Sequence, residues 1–435
     1  MLQIALLLMG ANFVRQATPL LALFGVLWGI AGLSIFIDGL DGMLYFPSRF
    51  FSGLLICESL VMLIMAPGAA GARKPILYFE GTLFLFIALM TLLGHGISNL
   101  LLALLFGFAF FITGLFVMAS AWVVRFDNWK ASFVAGIGYL AFALFLFQPY
   151  PTHHKGTIAQ LVGMLMLISG IQCVRTAWRA FRLHDRRSVF ALLAPERLFI
   201  KSKASVLPDD EQPDTAPAGE NGPLTVHVWT PEGSAAHQPI PRPVFNRYIA
   251  AVDATGVIST GHAALELPPA LYISLYPAVD IDRSPSEFFN TLKAIQENNV
   301  AGKFQPDYSS ESAAWCESDR KIIFHNINGA SLKRYWLRYR DEEIYNLTSR
   351  NCSSSVAYGL EAALDGVFAQ RYGWLRFLGL FFIPEMWIAA QLRKRATTMA
   401  WTPGLVLDYA RALSAIVHPA DNRWFSIRRQ TERLN

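Results

Sequence analysis

Two residue pairs in the C-terminal half have the types and the setting that nucleophilic catalysis requires. Cys352 follows Asn351 where a polar run gives way to an apolar helical pattern, and His262 follows Gly261 in an alternating, strand-like segment. A thiol at a helix N-terminus lies near the positive end of the helix dipole and near free backbone N–H groups, and both stabilise a thiolate. The same N–H groups can bind an oxyanion, and an imidazole can act as the general base. Together they predict a nucleophile, Cys352, with His262 as its base.

The residue that would orient the histidine has two candidates. Ser274 lies on the strand that follows the histidine strand, and Glu266 lies on the histidine strand itself. Asn351 and the backbone N–H of the cysteine are the expected support for an oxyanion. A lone cysteine in a small-residue helix is usually a packing residue, and a lone strand histidine is usually structural; the pair favours catalysis. Cys316 is a weaker candidate because no clear helix start follows it, and His325 is expected to be structural.

The elements that must position these residues indicate an α+β domain. Alternating apolar residues predict strands in LTVHVWT, VISTGHAALEL, ALYISLYP and KIIFHNI. A serine cap, an early proline and an early glutamate predict a short helix over 284–298, and a further helix is predicted over 331–340. The last helix begins at Cys352, where the three serines 353–355 allow close packing against a sheet.

This order, with a GH-bearing strand first and an NC motif at a helix start later, resembles the permuted papain-like hydrolases. These are circularly permuted relatives of the NlpC-type cell-wall peptidases and of lecithin–retinol acyltransferase, and the resemblance covers about residues 224–366. It implies a permuted papain-like fold and a thiol protease, amidase or acyltransferase chemistry without a cofactor. The family often places a third polar residue on the strand after the histidine, where this chain offers Ser274.

The first 180 residues contain an internal repeat of apolar hairpins. Gly25, Gly81 and Gly136 recur at intervals of 56 and 55 residues, and a second set recurs at 54 and 56. The second set is Gly53, Gly107 and Gly163. Six apolar segments are long enough to span a membrane, and they predict an all-α domain of three tandem hairpins: Pro19–Leu40, Arg49–Pro67, Ile76–Leu93, Asn99–Val124, Ala131–Phe147 and Thr157–Trp178.

Three tandem hairpins of this kind resemble the HdeD-like acid-resistance membrane proteins, over about residues 15–180. The resemblance implies an association with bacterial stress resistance and brings no catalytic residues with it. Glu58 and Glu80 are the ionisable residues nearest to span interiors, and helix packing or an interface position explains them without a transport function.

Lysine and arginine are concentrated in alternate loops, which predicts the membrane orientation. They precede the first span and follow the second, fourth and sixth spans, so both termini and the soluble half are predicted to be cytoplasmic, in a bacterial inner membrane. The net charge of +5 is modest and much of it flanks the spans. It therefore favours contact with membrane lipid and argues against nucleic acid as a partner. Four scattered cysteines predict neither a disulfide framework nor a metal site.

Four regions follow from these patterns: a membrane domain (1–180), a basic amphipathic segment with a flexible linker (181–223), the hydrolase domain (224–366) and a C-terminal region (367–435). The segment over 374–392 is predicted to be an interfacial or re-entrant helix, with a seventh span as the alternative.

The functional prediction is a membrane-anchored cysteine peptidase or amidase. An acyltransferase or lipid hydrolase acting at the membrane surface and a non-catalytic, stress-linked scaffold are the alternatives. A peptide, amide or acyl substrate is expected, and a homo-oligomer formed through the membrane domain stays open.

Overall fold

The computed structural model describes residues 1–41, 46–68, 73–94, 96–182, 188–195, 198, 222–235, 238–252, 258–269, 271–279, 281, 288–369 and 373–419. The predicted linker over 202–223 therefore lies almost entirely outside the described residues. The N-terminal part is helical, and its six long helices are α1 (Leu2–Asp41), α2 (Ser48–Met65), α3 (Arg73–Leu93), α4 (Gly96–Val124), α5 (Trp129–Phe147) and α6 (Thr157–Phe181).

Within the described residues, these six helices are long and apolar enough to cross a membrane. Large apolar side chains such as Phe79, Ile97 and Ile112 project outwards and are 68%, 76% and 63% exposed. Helices that are apolar all round expose such side chains stably only to lipid or to a partner, so this part has the character of a transmembrane domain. The six predicted apolar spans are confirmed as helices of spanning length.

Close packing in this domain joins α1 to α6, α2 to α3 and α4 to α5. The tandem-hairpin prediction would instead join α1 to α2, so the tight pairs are shifted by one helix. Five of the six repeated glycines face these partners, Gly53 being the exception: a Cβ on Gly25 would lie 2.9 Å from Val174 Cγ2, and one on Gly163 would lie 2.5 Å from the Phe36 nitrogen. Small residues let helix backbones approach in lipid, as they do here between α1 and α6.

The first eight residues of α1 belong to a different environment. α1 is interrupted at Gly10, and the side chains of residues 4–9 are at most 2% exposed. The Leu7 carbonyl accepts a hydrogen bond from the Gly366 N–H at 2.8 Å, and the Leu8 carbonyl accepts one from the Phe368 N–H at 2.8 Å. This apolar turn therefore lies in the core of the sheet-containing region and ties the two halves together.

The sheet-containing region is smaller and mixes short strands with helices. Its helices are α7 (Pro243–Tyr248), α8 (Phe288–Thr291), α9 (Tyr308–Ala314), α10 (Gly329–Arg340), α11 (Cys352–Ala363), α12 (Gly373–Leu380), α13 (Pro384–Thr398) and α14 (Pro403–Val417). Its strands are β1 (Leu224–Trp229), β2 (Ala251–Val252), β3 (Ile258–Ser259), β4 (His262–Leu267), β5 (Leu271–Ile273), β6 (Leu275–Pro277), β7 (Val300–Phe304), β8 (Arg320–Phe324) and β9 (Ile344–Tyr345).

The largest sheet has the order β5-β4-β1-β8 and is antiparallel throughout. Further pairs join β2 to β3, and β7 lies between β6 and β9. Side chains alternate between the faces of a strand. Leu265 and Ile273 face α11, since both approach Gly359, whereas Trp229 and Tyr272 lie on the opposite face with α9. The sheet thus has an apolar face under α11 and α14 and a polar, aromatic face under α9.

The C-terminal helices divide into two kinds. α12 and α13 meet at an angle of 67°, and the pair is long and apolar enough for a seventh span or a re-entrant segment. On α12 and the turn that follows, Leu375 is 74% exposed and Phe382 is 83% exposed. α14 is buried along most of its length and packs against β1, β8 and α11. The apolar residues of α14 thus belong to the core of the sheet-containing region.

Candidate active site

Cys352 is the first residue of α11, and Asn351 fixes the start of this helix. The Asn351 side-chain oxygen accepts a hydrogen bond from the Ser354 N–H, and the Ser354 hydroxyl accepts one from the Asn351 N–H, both at 2.8 Å. This is a reciprocal capping box. The Asn351 amide group donates to the carbonyls of Leu347 at 2.8 Å and Trp401 at 2.9 Å. Because its donors are already used, Asn351 positions the helix and does not offer the oxyanion support that the sequence predicted.

His262 begins β4, immediately after a glycine in a left-handed conformation. Gly261 has φ of +69°, and a Cβ there would lie 2.3 Å from the Trp229 carbonyl oxygen, so the close approach of β1 requires glycine. The imidazole is buried and stacks on Tyr276, with ring centroids 4.1 Å apart. Its Nε2 lies 2.8 Å from the Ser274 hydroxyl oxygen. The structure thus brings Ser274 to His262, where the sequence placed it.

Glu311, on α9, is the second partner of the imidazole, and the sequence analysis missed it. Its Oε1 lies 3.2 Å from His262 Nε2. The Tyr272 hydroxyl donates to Oε2 at 2.5 Å, and the Tyr276 hydroxyl donates to Oε1 at 2.7 Å. A signal was present, because the spacing of Tyr272, Ser274 and Tyr276 places all three on the face that carries His262.

These contacts assign the tautomer of His262. An ionised carboxylate only accepts hydrogen bonds, so the nitrogen that faces Glu311 carries the proton. Nε2 is therefore the donor, and Nδ1 carries the lone pair. The described residues form no hydrogen bond to Nδ1. A neutral imidazole held in this way can accept a proton through Nδ1.

Glu266, the other predicted orienting residue, lies elsewhere on the same face. Its Oε2 is 2.8 Å from Nε2 of His227, whose Nδ1 is 3.0 Å from the Ser318 hydroxyl. His227 is buried. Burial lowers the pKa of His227, while the Glu266 carboxylate opposes that shift. Glu266 is four residues from His262 along one strand, which is about 13 Å and too far for a direct contact.

Cys352 meets β4 beside His262. The pairing of β4 with β5 ends at Leu265 opposite Ile273. Nearer the start of β4, the Ala263 N–H is directed at the Cys352 sulfur, which also receives the Ser353 N–H. The Ser353 hydroxyl lies 3.7 Å from the sulfur. Among the described residues, no hydrogen bond joins the sulfur to the imidazole, although the Glu311 carboxylate is near enough to act on both groups.

The protonation state of Cys352 differs from the thiolate that the sequence predicts. Burial raises the pKa of the Cys352 thiol, and the hydrogen bonds from Ser353 and Ala263 offset only part of this shift. Burial lowers the pKa of His262 to about 3. Both shifts favour the neutral form, so the closed site holds a thiol and a neutral imidazole at pH 7. The predicted low thiol pKa is wrong for this closed arrangement, because desolvation outweighs the helix N-terminus.

The weaker candidates lie outside this arrangement. Cys316 is half-buried, and its carbonyl oxygen accepts a hydrogen bond from the Trp229 indole at 2.7 Å. The His325 N–H donates to Nε2 of His418 at 3.2 Å, which gives this histidine a structural contact. Within the part of the chain that the structure describes, no cluster of three or more His, Cys, Asp or Glu side chains could hold a metal ion.

Comparisons with protein-family models, with curated proteins and with solved structures give no match. The two family resemblances of the sequence therefore stay predictions. What the structure adds is a helical part with membrane character joined to a sheet-containing region, in which a cysteine at a helix start lies beside a histidine at a strand start.

Proposed function

We propose that the protein is a membrane-anchored cysteine hydrolase, a peptidase or amidase, with Cys352 as nucleophile and His262 as general base. The observation that carries this proposal is how the imidazole is held. Its Nε2 contacts Ser274 and Glu311, the described residues form no hydrogen bond to its Nδ1, and the amide next to it in the chain donates towards the Cys352 sulfur. A base with one nitrogen anchored and the other available is the arrangement that a thiol nucleophile requires.

The reaction would proceed through an acyl-enzyme. The Cys352 thiol gives its proton to His262 Nδ1 as the sulfur attacks the substrate carbonyl, and the amine then leaves with that proton. Water releases the acyl group by the reverse sequence. The N–H groups of Ala263 and Ser353, which now face the sulfur, are the nearest donors for an oxyanion. Proton transfer requires the sulfur and Nδ1 to approach each other, so the closed site must open before it reacts.

The membrane part sets where the reaction would occur. The distribution of basic loops predicts that the sheet-containing region is on the cytoplasmic side, and the glycine-paired helices suit an anchor. The resemblance to HdeD-like proteins suggests a role in stress resistance in a bacterial inner membrane. A reducing compartment would keep Cys352 as a free thiol.

An acyltransferase or lipid hydrolase is the second candidate, and one observation favours it. The bent α12–α13 segment exposes apolar side chains, with Leu378 53% exposed and Trp374 41% exposed. The exposed Lys394 and Arg395 follow on α13. An apolar surface followed by basic residues is typical of segments that lie on anionic membranes, and it would bring a lipid acyl group towards the site.

The first experiment uses thiol-directed acyl and peptidyl probes on the full-length protein in nanodiscs. We expect Cys352→Ala to abolish covalent labelling in the presence of a substrate-like probe, and Cys316→Ala to leave it. His262→Ala should reduce turnover by orders of magnitude, and the double variant should be little worse than either single variant, since the pair acts as a unit.

The outcomes separate the three functional classes. Turnover of peptide or amide substrates supports the first proposal, and turnover of ester-linked lipid acyl groups supports the second. Equal probe reactivity of Cys352 in the wild type and in His262→Ala, with no turnover of either substrate class, would leave the stress-linked scaffold as the function.

A further inference from the structure

A cavity of about 300 Å³ lies at the junction of the membrane helices and the sheet-containing region. The Phe126–Asn128 loop after α4 and Arg179 in the last turn of α6 form its membrane side. Ser349 and Arg350, just before the NC motif, form part of the opposite wall. Its volume is at the lower end of the range for small-molecule pockets and is enough for about ten waters. The cavity is therefore large enough to hold a ligand group.

The junction around the cavity is built by direct contacts. The Ala294 N–H donates to the Val124 carbonyl at 2.7 Å, and the Ser120 hydroxyl donates to the Thr398 carbonyl. The two parts of the chain therefore hold the walls together at the end of α4. A cavity held between such contacts is a fixed feature of the fold.

The cavity lining contains a buried donor without a partner. Trp401 is only 2% exposed, and its Nε1–H forms no hydrogen bond with the described residues. The indole is directed towards the hydroxyl of Tyr358, which also lines the cavity, without reaching hydrogen-bond distance. A buried donor left unpaired costs free energy, so its presence in the wall of a cavity indicates a ligand that accepts a hydrogen bond there.

One of the three arginines that line the cavity is available to an anion. Three guanidinium groups, those of Arg179, Arg350 and Arg393, line the cavity, against one carboxylate, Asp127. Arg393 is paired with Glu361 at 2.7 Å, and Arg350 donates to backbone carbonyls and lies 3.9 Å from the buried Glu342 carboxylate, so the charges of both are already balanced. Arg179 is exposed at the membrane end of the cavity. It is therefore the cation best placed to meet a ligand that enters from that side.

We propose that this junction cavity binds a phosphate group, as a lipid headgroup of the adjacent leaflet or as a soluble phosphate ester. The Trp401 N–H would donate to a phosphate oxygen, and Arg179 would pair with the anion at the entrance. Guanidinium groups bind phosphate with matched geometry, and Arg179 lies in the last turn of α6, at the end of a candidate span. The ligand would also brace the chain before Cys352, since the Trp401 carbonyl accepts a hydrogen bond from Asn351. This inference does not depend on catalysis by Cys352.

The test measures binding to the full-length protein with two probes. Inorganic phosphate is titrated against the detergent-solubilised protein with chloride as reference, and retained lipid is counted by native mass spectrometry from nanodiscs of phosphatidylglycerol in phosphatidylcholine. We expect saturable phosphate binding, retained phosphatidylglycerol or both. Phosphate binding alone identifies a soluble ester, and lipid retention alone identifies a headgroup.

Variants decide whether the binding occurs in this cavity. Arg179→Gln and Trp401→Phe should each weaken binding about tenfold, the size expected for one hydrogen bond to a charged group. Arg175→Gln is the matched control, because Arg175 is exposed one turn earlier on α6 and does not line the cavity. The absence of saturable binding of either probe, or equal weakening by Arg175→Gln and Arg179→Gln, would overturn the proposal. Arg179 is on the surface, so its variant remains informative even if Trp401→Phe fails to fold.

Discussion

Replacing Glu311 with glutamine tests whether this carboxylate holds α9 over the sheet face. In the wild type, Glu311 accepts hydrogen bonds from Tyr272 and Tyr276 and lies 3.2 Å from Nε2 of His262. Glutamine has nearly the same shape but keeps one acceptor oxygen, and it points an N–H₂ group at a neighbour that is itself a donor. At least one buried donor therefore loses its charged acceptor.

The magnitude follows from the contacts of α9. Loss of a hydrogen bond to a buried charged group costs about 1.5–3 kcal/mol. α9 has seven residues, and Glu311 is the one buried residue within it. The cost should therefore fall mainly on the local opening of α9, and its opening constant should rise about 10- to 150-fold.

Amide hydrogen exchange of the full-length protein in detergent measures this opening. The reporters are the amides of Glu311 and Trp315, which donate to the Asp307 and Glu311 carbonyls at 3.2 and 3.1 Å. Glu317→Gln is the control, since Glu317 is exposed just beyond the helix, and the amides of α10 serve as an internal reference. Unchanged exchange of α9 in Glu311→Gln, or the same acceleration in the control, would refute the assignment of Glu311 as the anchor.

Three further predictions test other parts of the molecule. Burial raises the pKa of Cys352, so its alkylation rate should rise about tenfold per pH unit from pH 6 to 9; a plateau below pH 7, read from the Cys352 peptide, would instead indicate a thiolate. Gly163→Ala should destabilise the protein by about 1–3 kcal/mol through overpacking, because the new Cβ would meet the backbone of α1. Gly53→Ala is the control, and it should leave the melting temperature unchanged because the space around Gly53 is open. Equal effects of the two substitutions would contradict the helix pairing. Protease should cut the linker over 202–223 from the cytoplasmic side, and the two fragments should stay together until denatured, because Leu7 and Leu8 are bonded to residues 366 and 368; cleavage from the opposite side would reverse the topology.

Local chemistry made much of the fold predictable from the sequence. Apolar length alone identifies the six long helices, and the change from a polar to an apolar run identifies the start of α11 at Cys352. Alternation along the strand after the histidine places Ser274 on the correct face. In each case, neighbours within about twenty residues determine the outcome, so a pattern in the sequence carries the information.

Features that depend on distant contacts could not be predicted in this way. The glycine repeat shows that helices approach closely, but every unit has the same pattern, so it does not show that α1 pairs with α6. The apolar run 2–9 is too short to span a membrane, and nothing in it names the core that it enters. Glu311 reaches His262 from a helix that begins 46 residues later in the chain. The neutral state of Cys352 depends on how completely the folded chain excludes water.

The same desolvation that holds the site neutral also suggests how it would become reactive. Burial is the first cause of both shifts, raising the pKa of the thiol and lowering that of the imidazole. When α9 opens and water or substrate enters, the pKa of the Cys352 thiol should fall and that of the His262 imidazole should rise. The hydrogen bonds from Ser353 and Ala263 would then favour the thiolate, because burial would no longer oppose them. If the site is catalytic, Glu311→Gln should therefore raise the alkylation rate of Cys352 at pH 7 along with the exchange of α9. Faster exchange of α9 with an unchanged rate at Cys352 would mean that α9 does not control the thiol, and the scaffold function would gain support.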